Sequence, residues 1–236
     1  MPRIIVTGAG GRLGAALVRE WKAAGLDVVG FGRQELDLAQ PEQMRATLEP
    51  LDFGVLVNCA AQTNVDRCET ERNEAMQINA HAVRTLAEIC NAKGSRCVQI
   101  STDYVFDGAK STPYTEDDPV VPISYYGKSK RAGELALLEV SDRNLAVRVS
   151  WVFGPDRPSF VDGIVKRALT EEKVEAIADK IAVPTYTLDA AQLLKPLLFD
   201  VPAGGVLHLC NGGSCTWQEY GQFALDCAAG AGMPLK

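Results

Sequence analysis

The sequence is poor in the residues that metal or disulfide chemistry would need. Only two histidines occur, His81 and His208, and none of the seven cysteines stands in a Cys-x-x-Cys pair. That supply argues against a conventional zinc site, and the scattered thiols read as reduced and mostly buried. Long hydrophobic runs are also missing: no stretch approaches the ~20 apolar residues that cross a bilayer. The chain opens on a charged residue and a strand, without a signal-type segment, so a cytoplasmic protein with no membrane partner is expected. Positive charge is in deficit, with a net charge of −6. This argues against nucleic acid as a partner, yet a nucleotide can still be held by backbone N–H groups and a few local cations. There is no internal repeat and no low-complexity segment. At 236 residues, 47% hydrophobic and 23% charged, the chain can bury one substantial core, or a core with a small appended lobe.

What is present begins at the N-terminus. The apolar run Ile4-Ile5-Val6 leads into Thr7-Gly8-Ala9-Gly10-Gly11-Arg12-Leu13-Gly14 and then the helical pattern Leu13, Ala16, Leu17, Trp21. This is a strand, a glycine turn and a helix. The Gly-x-x-Gly-x-x-Gly spacing is wider at its first step than the standard dinucleotide fingerprint, but the task is similar. Gly8 permits the turn off the strand, Gly11 lets backbone approach a pyrophosphate, and Gly14 lets the helix pack on the sheet. The N–H groups around Arg12 and Leu13, at the positive end of the helix dipole, then face the phosphates. The second strand, Val28 to Phe31, has no carboxylate after it to read a ribose. It is followed by Gly32-Arg33, and an arginine fork suits a 2′-phosphate, which favours NADPH over NADH. Asp37 and Leu38 lie within reach of the adenine side.

Strand-length runs at Ile4 to Val6, Val28 to Phe31, Val55 to Asn58, Cys97 to Ile100 and Ala146 to Ser150 alternate with helical stretches near 12–24, 41–49, 71–93 and 124–140. The alternation predicts an α/β fold, a doubly wound parallel sheet of Rossmann type with helices on both faces. A dinucleotide-binding domain is expected over 1–153, with a helix near 187–199 returning to it. A smaller substrate lobe is expected over 154–186 and 200–236. In it fall a short helix, a strand at Val174 to Ile177, the run Val206 to Leu209 and a helix over Trp217 to Ala228. The long loop Thr102 to Ile123 follows a strand's carboxyl end, where such folds place ligands.

Tyr126-Gly127-Lys128-Ser129-Lys130 adds chemistry. At i, i+4 a phenol and an ammonium share one helical face. A cation about 4 Å away is worth up to ~4 kcal/mol to a phenolate at an effective dielectric of ~20, and ~1.4 kcal/mol moves a pKa by one unit. The pair alone also occurs on ordinary solvated helix faces. The strand end Ser101-Thr102-Asp103-Tyr104 places a hydroxyl where it would face Tyr126, although a threonine after a strand is commonly a cap.

These phrases, with Val57-Asn58-Cys59-Ala60-Ala61, Val105-Phe106-Asp107-Gly108 and Ser150-Trp151-Val152-Phe153-Gly154, resemble the dTDP-4-dehydrorhamnose reductase family of extended short-chain dehydrogenases. The likeness runs from residue 3 to about 228. It implies a nucleotide-linked 4-keto-6-deoxy sugar as substrate, reduced by NADPH or NADH to dTDP-rhamnose. Tyr126 would donate the proton, Lys130 would lower its pKa and hold the nicotinamide ribose, and Thr102 would polarise the carbonyl. The resemblance places Ala60, Ala61 and Thr63 beside the cofactor and Thr102, Asp103 and Trp151 on the substrate.

Family members continue for several tens of residues past Lys236, so the substrate lobe is expected to be incomplete, with apolar surface exposed near Trp217 and Phe223. Asp179-Lys180-Ile181-Ala182-Val183-Pro184-Thr185 departs from the family's Asp-Gln-x-Gly-x-Pro-Thr. Some members use magnesium at a dimer contact; no ligands for it are matched here, and a homodimer is the expected assembly. Two other readings share the motifs. One is an epimerase or dehydratase; dehydratases usually carry Asp-Glu after the threonine, where this chain has Asp103-Tyr104. The other is a non-catalytic NADP-binding regulatory subunit, such as the β subunit of methionine adenosyltransferase.

Overall fold

The computed structural model describes residues 2–199 and 204–236. In chain order the elements are β1 (Ile4–Thr7), α1 (Arg12–Ala23), β2 (Val28–Phe31), α2 (Pro41–Leu48), β3 (Val55–Asn58), α3 (Val65–Thr70), α4 (Arg72–Met76), α5 (Ala82–Ala92) and β4 (Arg96–Thr102). They continue with α6 (Tyr125–Val140), β5 (Leu145–Val149), β6 (Val152–Phe153), α7 (Phe160–Ala168), β7 (Ile181–Ala182) and β8 (Thr185–Tyr186). The last are α8 (Thr187–Leu194), β9 (Gly205–His208), β10 (Cys215–Thr216) and α9 (Trp217–Gly230).

Six parallel strands form the main sheet in the order β2-β1-β3-β4-β5-β9. Strands covered on both faces need apolar residues without alternation, and β1, β3 and β5 are buried at every position. On one face Leu13, Leu17 and Trp21 of α1 pack with Ala190, Ala191 and Leu194 of α8. The Trp21 indole N–H donates to Ala191 O at 2.8 Å, fixing the two helices together. On the other face lie Met44 and Leu48 of α2, Val83, Leu86 and Ile89 of α5, and Leu137 of α6. Strand order turns at β1 and β3, and the carboxyl ends there open the crevice where doubly wound sheets bind ligands.

A polar ladder crosses this apolar sheet. Thr7 Oγ1 donates to Asn58 Oδ1, Asn58 Nδ2 donates to Gln99 Oε1 at 2.6 Å, and Gln99 Nε2 reaches Ile100 O at 2.6 Å. All three side chains are buried.

The five expected strands are present, and three expectations need correction. The helical run at 71–93 is interrupted by a π turn at Gln77–His81 between α4 and α5, and is preceded by the separate α3. Val174 to Ile177 is not a strand: the neighbouring Lys173 and Glu175 pair in solvent at 3.3 Å, and Ile177 O accepts from Gln218 N at 3.0 Å. Val206 to Leu209 does not join a separate lobe. β9 pairs in parallel with β5, and Leu207 and Leu209 pack on the main core. Residues 200–203 of the expected lobe lie outside the described residues.

The remaining C-terminal elements gather over the sheet's carboxyl edge. α7 packs on α9, β7 pairs antiparallel with β10, and β6 pairs with β8. α9 is started by a reciprocal cap, Thr216 Oγ accepting from Glu219 N and Glu219 accepting from Thr216 N. No helix among the described residues is long and apolar enough to cross a membrane.

Candidate active site

One cavity of about 800 Å³ runs along the carboxyl edge of the sheet, from the glycine turn to the C-terminal helices. At its near end Gly8 adopts φ +65°, a left-handed turn that a side chain disfavours. A Cβ there would also sit 2.7 Å from Ala60 N. Gly11 precedes α1 without a side-chain cap, and no acidic residue stands in the first turn. The helix thus presents unpaired N–H groups and its positive end to the cavity, which is what a dinucleotide's phosphates require. Gly14 does not line the space; a Cβ on it would collide with Gly8 O, so it holds helix against turn.

Gly8, Gly11, Arg12, Leu13, Arg33, Asp37, Leu38, Ala60, Ala61 and Thr63 all line this cavity. Arg33 is exposed and only loosely paired with Asp37, at 3.8 Å, so its guanidinium is available to an anion. Arg12 is tied across the cavity mouth to Arg157 O at 3.3 Å and to Pro158 O, while Arg157 Nε returns to Gly10 O at 2.9 Å. The segment 156–158 is thereby strapped to the glycine turn.

Thr102, Asp103, Tyr126, Lys130 and Trp151 line the far half of the same cavity. Ser124 caps α6 by accepting from Gly127 N at 3.1 Å, which fixes Tyr126 and Lys130 in the helix's first two turns. Two glycines set the helix's depth: a Cβ on Gly127 would strike Tyr104 O, and one on Gly133 would strike Asn79 O in the π turn. Asn79 is itself locked, accepting from Gln62 N at 2.8 Å and donating to Ser129 Oγ at 3.0 Å.

Burial pushes the Tyr126 phenol above its ordinary range, against hydrogen bonding with Thr102, and the carboxyl of Asp103 pushes it further. Burial pulls the Lys130 ammonium down to about 8, opposed by Glu134 and Cys59. Lys130 Nζ donates to Ile100 O at 2.7 Å, the carbonyl at the end of the polar ladder, and so is turned to backbone. Thr102 serves as the cap considered for it, and its side chain also lines the cavity. Its Oγ1 caps the turn after β4 by accepting from Tyr104 N at 3.2 Å and donates to Asp103 Oδ1 at 3.0 Å. Burial raises the Asp103 carboxyl, while bonds from Ser150 and Thr102 and the charge of Lys180 pull it back. Beneath this turn Glu134, wholly buried, receives Arg148 at 2.9 and 2.8 Å, Arg131 at 2.9 Å and Ser101 at 2.6 Å.

Several residues were not anticipated. Phe160, Trp217 and Tyr220 line the cavity's end beside Trp151 and Phe153. Trp151 meets Trp217 edge-on at 5.1 Å and stacks with Tyr220 at 6.2 Å, and Phe160 lies 4.4 Å from Trp217. The indole nitrogens of Trp151 and Trp217 and the Tyr220 hydroxyl are buried without partners. Trp151 holds φ +39°, a strained value for a bulky residue and one that clusters at functional sites. The signal available was the Trp217–Tyr220 spacing at i, i+3, which puts both rings on one helix face. Phe223, as expected, is exposed, whereas Trp217 is half-buried as part of the chamber.

A parallel doubly wound sheet, a glycine turn and a Tyr-x-x-x-Lys pair on a single cavity define an extended short-chain dehydrogenase/reductase. The chain belongs to the family described as RmlD substrate binding domain, whose model matches residues 2–234. It is 40% identical over 221 residues to dTDP-4-dehydrorhamnose reductase of Streptomyces griseus, covering 92% of this chain and 73% of that one. It is 38% identical over 220 residues to the spore coat polysaccharide biosynthesis protein SpsK of Bacillus subtilis (strain 168), covering 93% and 77%. Among solved structures, dTDP-4-dehydrorhamnose reductase of Bacillus anthracis str. Ames in complex with NADP superposes with a TM-score of 0.92 at 34% identity, covering 100% of this chain and 82% of that one.

Proposed function

We propose that this chain reduces the C4 ketone of a dTDP-linked 4-keto-6-deoxy sugar to the alcohol, dTDP-4-dehydrorhamnose to dTDP-rhamnose, with NADPH as reductant. The observation that carries the reading is the meeting of Thr102, Tyr126 and Lys130 with the glycine turn on one cavity. Family membership and the relatives' activities support it. The phosphates would lie at the start of α1 and Arg33 would take the 2′-phosphate. When bound, the reduced nicotinamide supplies hydride to the sugar carbon.

The protein's part is the proton. A buried phenol with a raised pKa stays protonated at neutral pH and can donate to the ketone oxygen as charge develops on it. Thr102 Oγ1 would turn its one proton from Asp103 to that oxygen and so orient it. Lys130, ionised in part near pH 8, holds the nicotinamide ribose and returns a proton to Tyr126 after the transfer. The chamber of Trp151, Trp217 and Tyr220 receives the nucleotide-sugar: indole N–H groups only donate, and sugar and phosphate oxygens supply acceptors. In this reading α7, α9 and the two small sheets act as the substrate lobe. The reaction is placed in the cytoplasm, consistent with seven free cysteines. Exposed Leu193 and Phe223 offer contacts for a homodimer, which light scattering measures.

The test is NADPH consumption with the dTDP-4-keto-6-deoxy sugar, alongside product analysis. One NADPH should disappear per alcohol formed, and Tyr126→Phe should lower kcat by ~10²-fold or more with NADPH affinity kept. Tight cofactor binding with no turnover in the unmutated chain would sink the reading, and product formed without net NADPH loss would mark an epimerase or dehydratase.

A further inference from the structure

One pair of side chains has no task in this reduction. Lys180 precedes β7, and its Nζ donates to the Tyr104 hydroxyl at 2.6 Å. The same ammonium lies 4.7 Å from the Tyr104 ring centre and 5.3 Å from that of Trp217. The contact therefore joins the catalytic turn after β4 to the C-terminal elements across the cavity.

An ammonium has donors and no acceptor. The Tyr104 oxygen must therefore accept from Lys180, and the phenol's own O–H is left to donate elsewhere. Tyr104 lines the cavity, and its ring meets that of Tyr126 edge-on with centres 5.6 Å apart. A second phenol thus packs against the first on the same cavity. The Tyr104 oxygen and the Trp217 ring hold the lysine charge in place, so the orientation of the Tyr104 hydroxyl is set before any ligand arrives.

The geometry points to Tyr104 as a donor to a sugar oxygen beside the reacting ketone, and to Lys180 as the positioning residue that turns the Tyr104 O–H toward the sugar. This rests on the proposed nucleotide-sugar substrate and deepens it. Tyr104 selects sugars with an acceptor oxygen at that place, and Lys180 reaches the sugar through Tyr104.

Calorimetric titration of the full chain saturated with NADP+, using dTDP-rhamnose and sugar-free dTDP, tests it without requiring turnover. Tyr104→Phe should weaken dTDP-rhamnose roughly tenfold, the worth of one such bond, and leave dTDP and NADP+ affinity unchanged. Lys180→Met should produce the same selective loss and Lys180→Arg should restore most of it. The double variant should be no weaker than Tyr104→Phe alone, because the lysine works through the phenol. Equal losses for both ligands, additive losses in the double variant, or an unchanged Tyr104→Phe would overturn the assignment. So would failure of the unmutated chain to bind dTDP-rhamnose. Absence of NADPH consumption, measured separately, bears on the reduction and not on this pair.

Discussion

Tyr126 keeps its proton because its surroundings are dry, and Lys130 gives part of its charge away for the same reason. Sequence spacing put the two on one helix face, which the structure bears out, but spacing cannot say which way an amine turns. Lys130 points to the Ile100 carbonyl. A lysine with a depressed folded pKa takes up a proton more readily when unfolded, so between about 8 and the ordinary 10.5 the unfolded chain binds more protons and stability rises with pH. Lys130→Met should raise the urea midpoint at pH 7, with the gain shrinking by pH 10; an equal gain at both values would count against a buried charge. Glu134 behaves in the opposite sense. Burial works against its ionisation, but bonds from Arg148 and Ser101 hold its carboxyl below the usual range. Its contribution is present above the ordinary carboxylate range and lost as pH falls through the lowered folded value. Arg148→Met should cost ~3–5 kcal/mol by taking away the buried cation of that pair, leaving the carboxylate only Arg131 and Ser101, and denaturant titration of Arg148→Met beside the Arg148→Met/Glu134→Leu pair, which should recover most of the loss, checks it.

At the scale of elements, the site depends on how deeply α6 sits. Gly133 faces the π turn so closely that a methyl group has no room before Asn79 O. Gly133→Ala should therefore lift the helix and cost ~1–3 kcal/mol as an overpacked contact. Because Tyr126 and Lys130 ride on the same helix, turnover should fall more than NADPH affinity, which rests on α1; an alanine variant with unchanged thermal midpoint and rate would contradict this. The π turn itself was not legible, since its residues continue an ordinary helical pattern of apolar spacing. Neither was the membership of β9. Val206 and Leu207 announce a strand, but a short run half-covered at each position does not say which sheet it joins.

At the scale of the whole molecule, the central sheet and its cofactor crevice could be read from local pattern, because each strand, turn and helix carries its signal within about ten residues. The aromatic chamber could not. Trp151, Phe160 and Trp217 come from three separate parts of the chain, and only the path of α7 and α9 back over the sheet brings them together. The strap between Arg157 and Gly10 closes that path over the phosphate end. Hydrogen exchange at 156–169 should slow when NADPH binds, and Arg157→Ala should remove most of that protection; protection unchanged in the variant would show that the strap is not what orders the segment.

The row of amides and hydroxyls through Thr7, Asn58 and Gln99 ends on the same carbonyl that receives Lys130. Sliding any one strand by a residue would strand several of these groups in apolar surroundings at once. The floor of the cleft is consequently a plate that resists shear, and accommodation of differently shaped sugars must come from the roof.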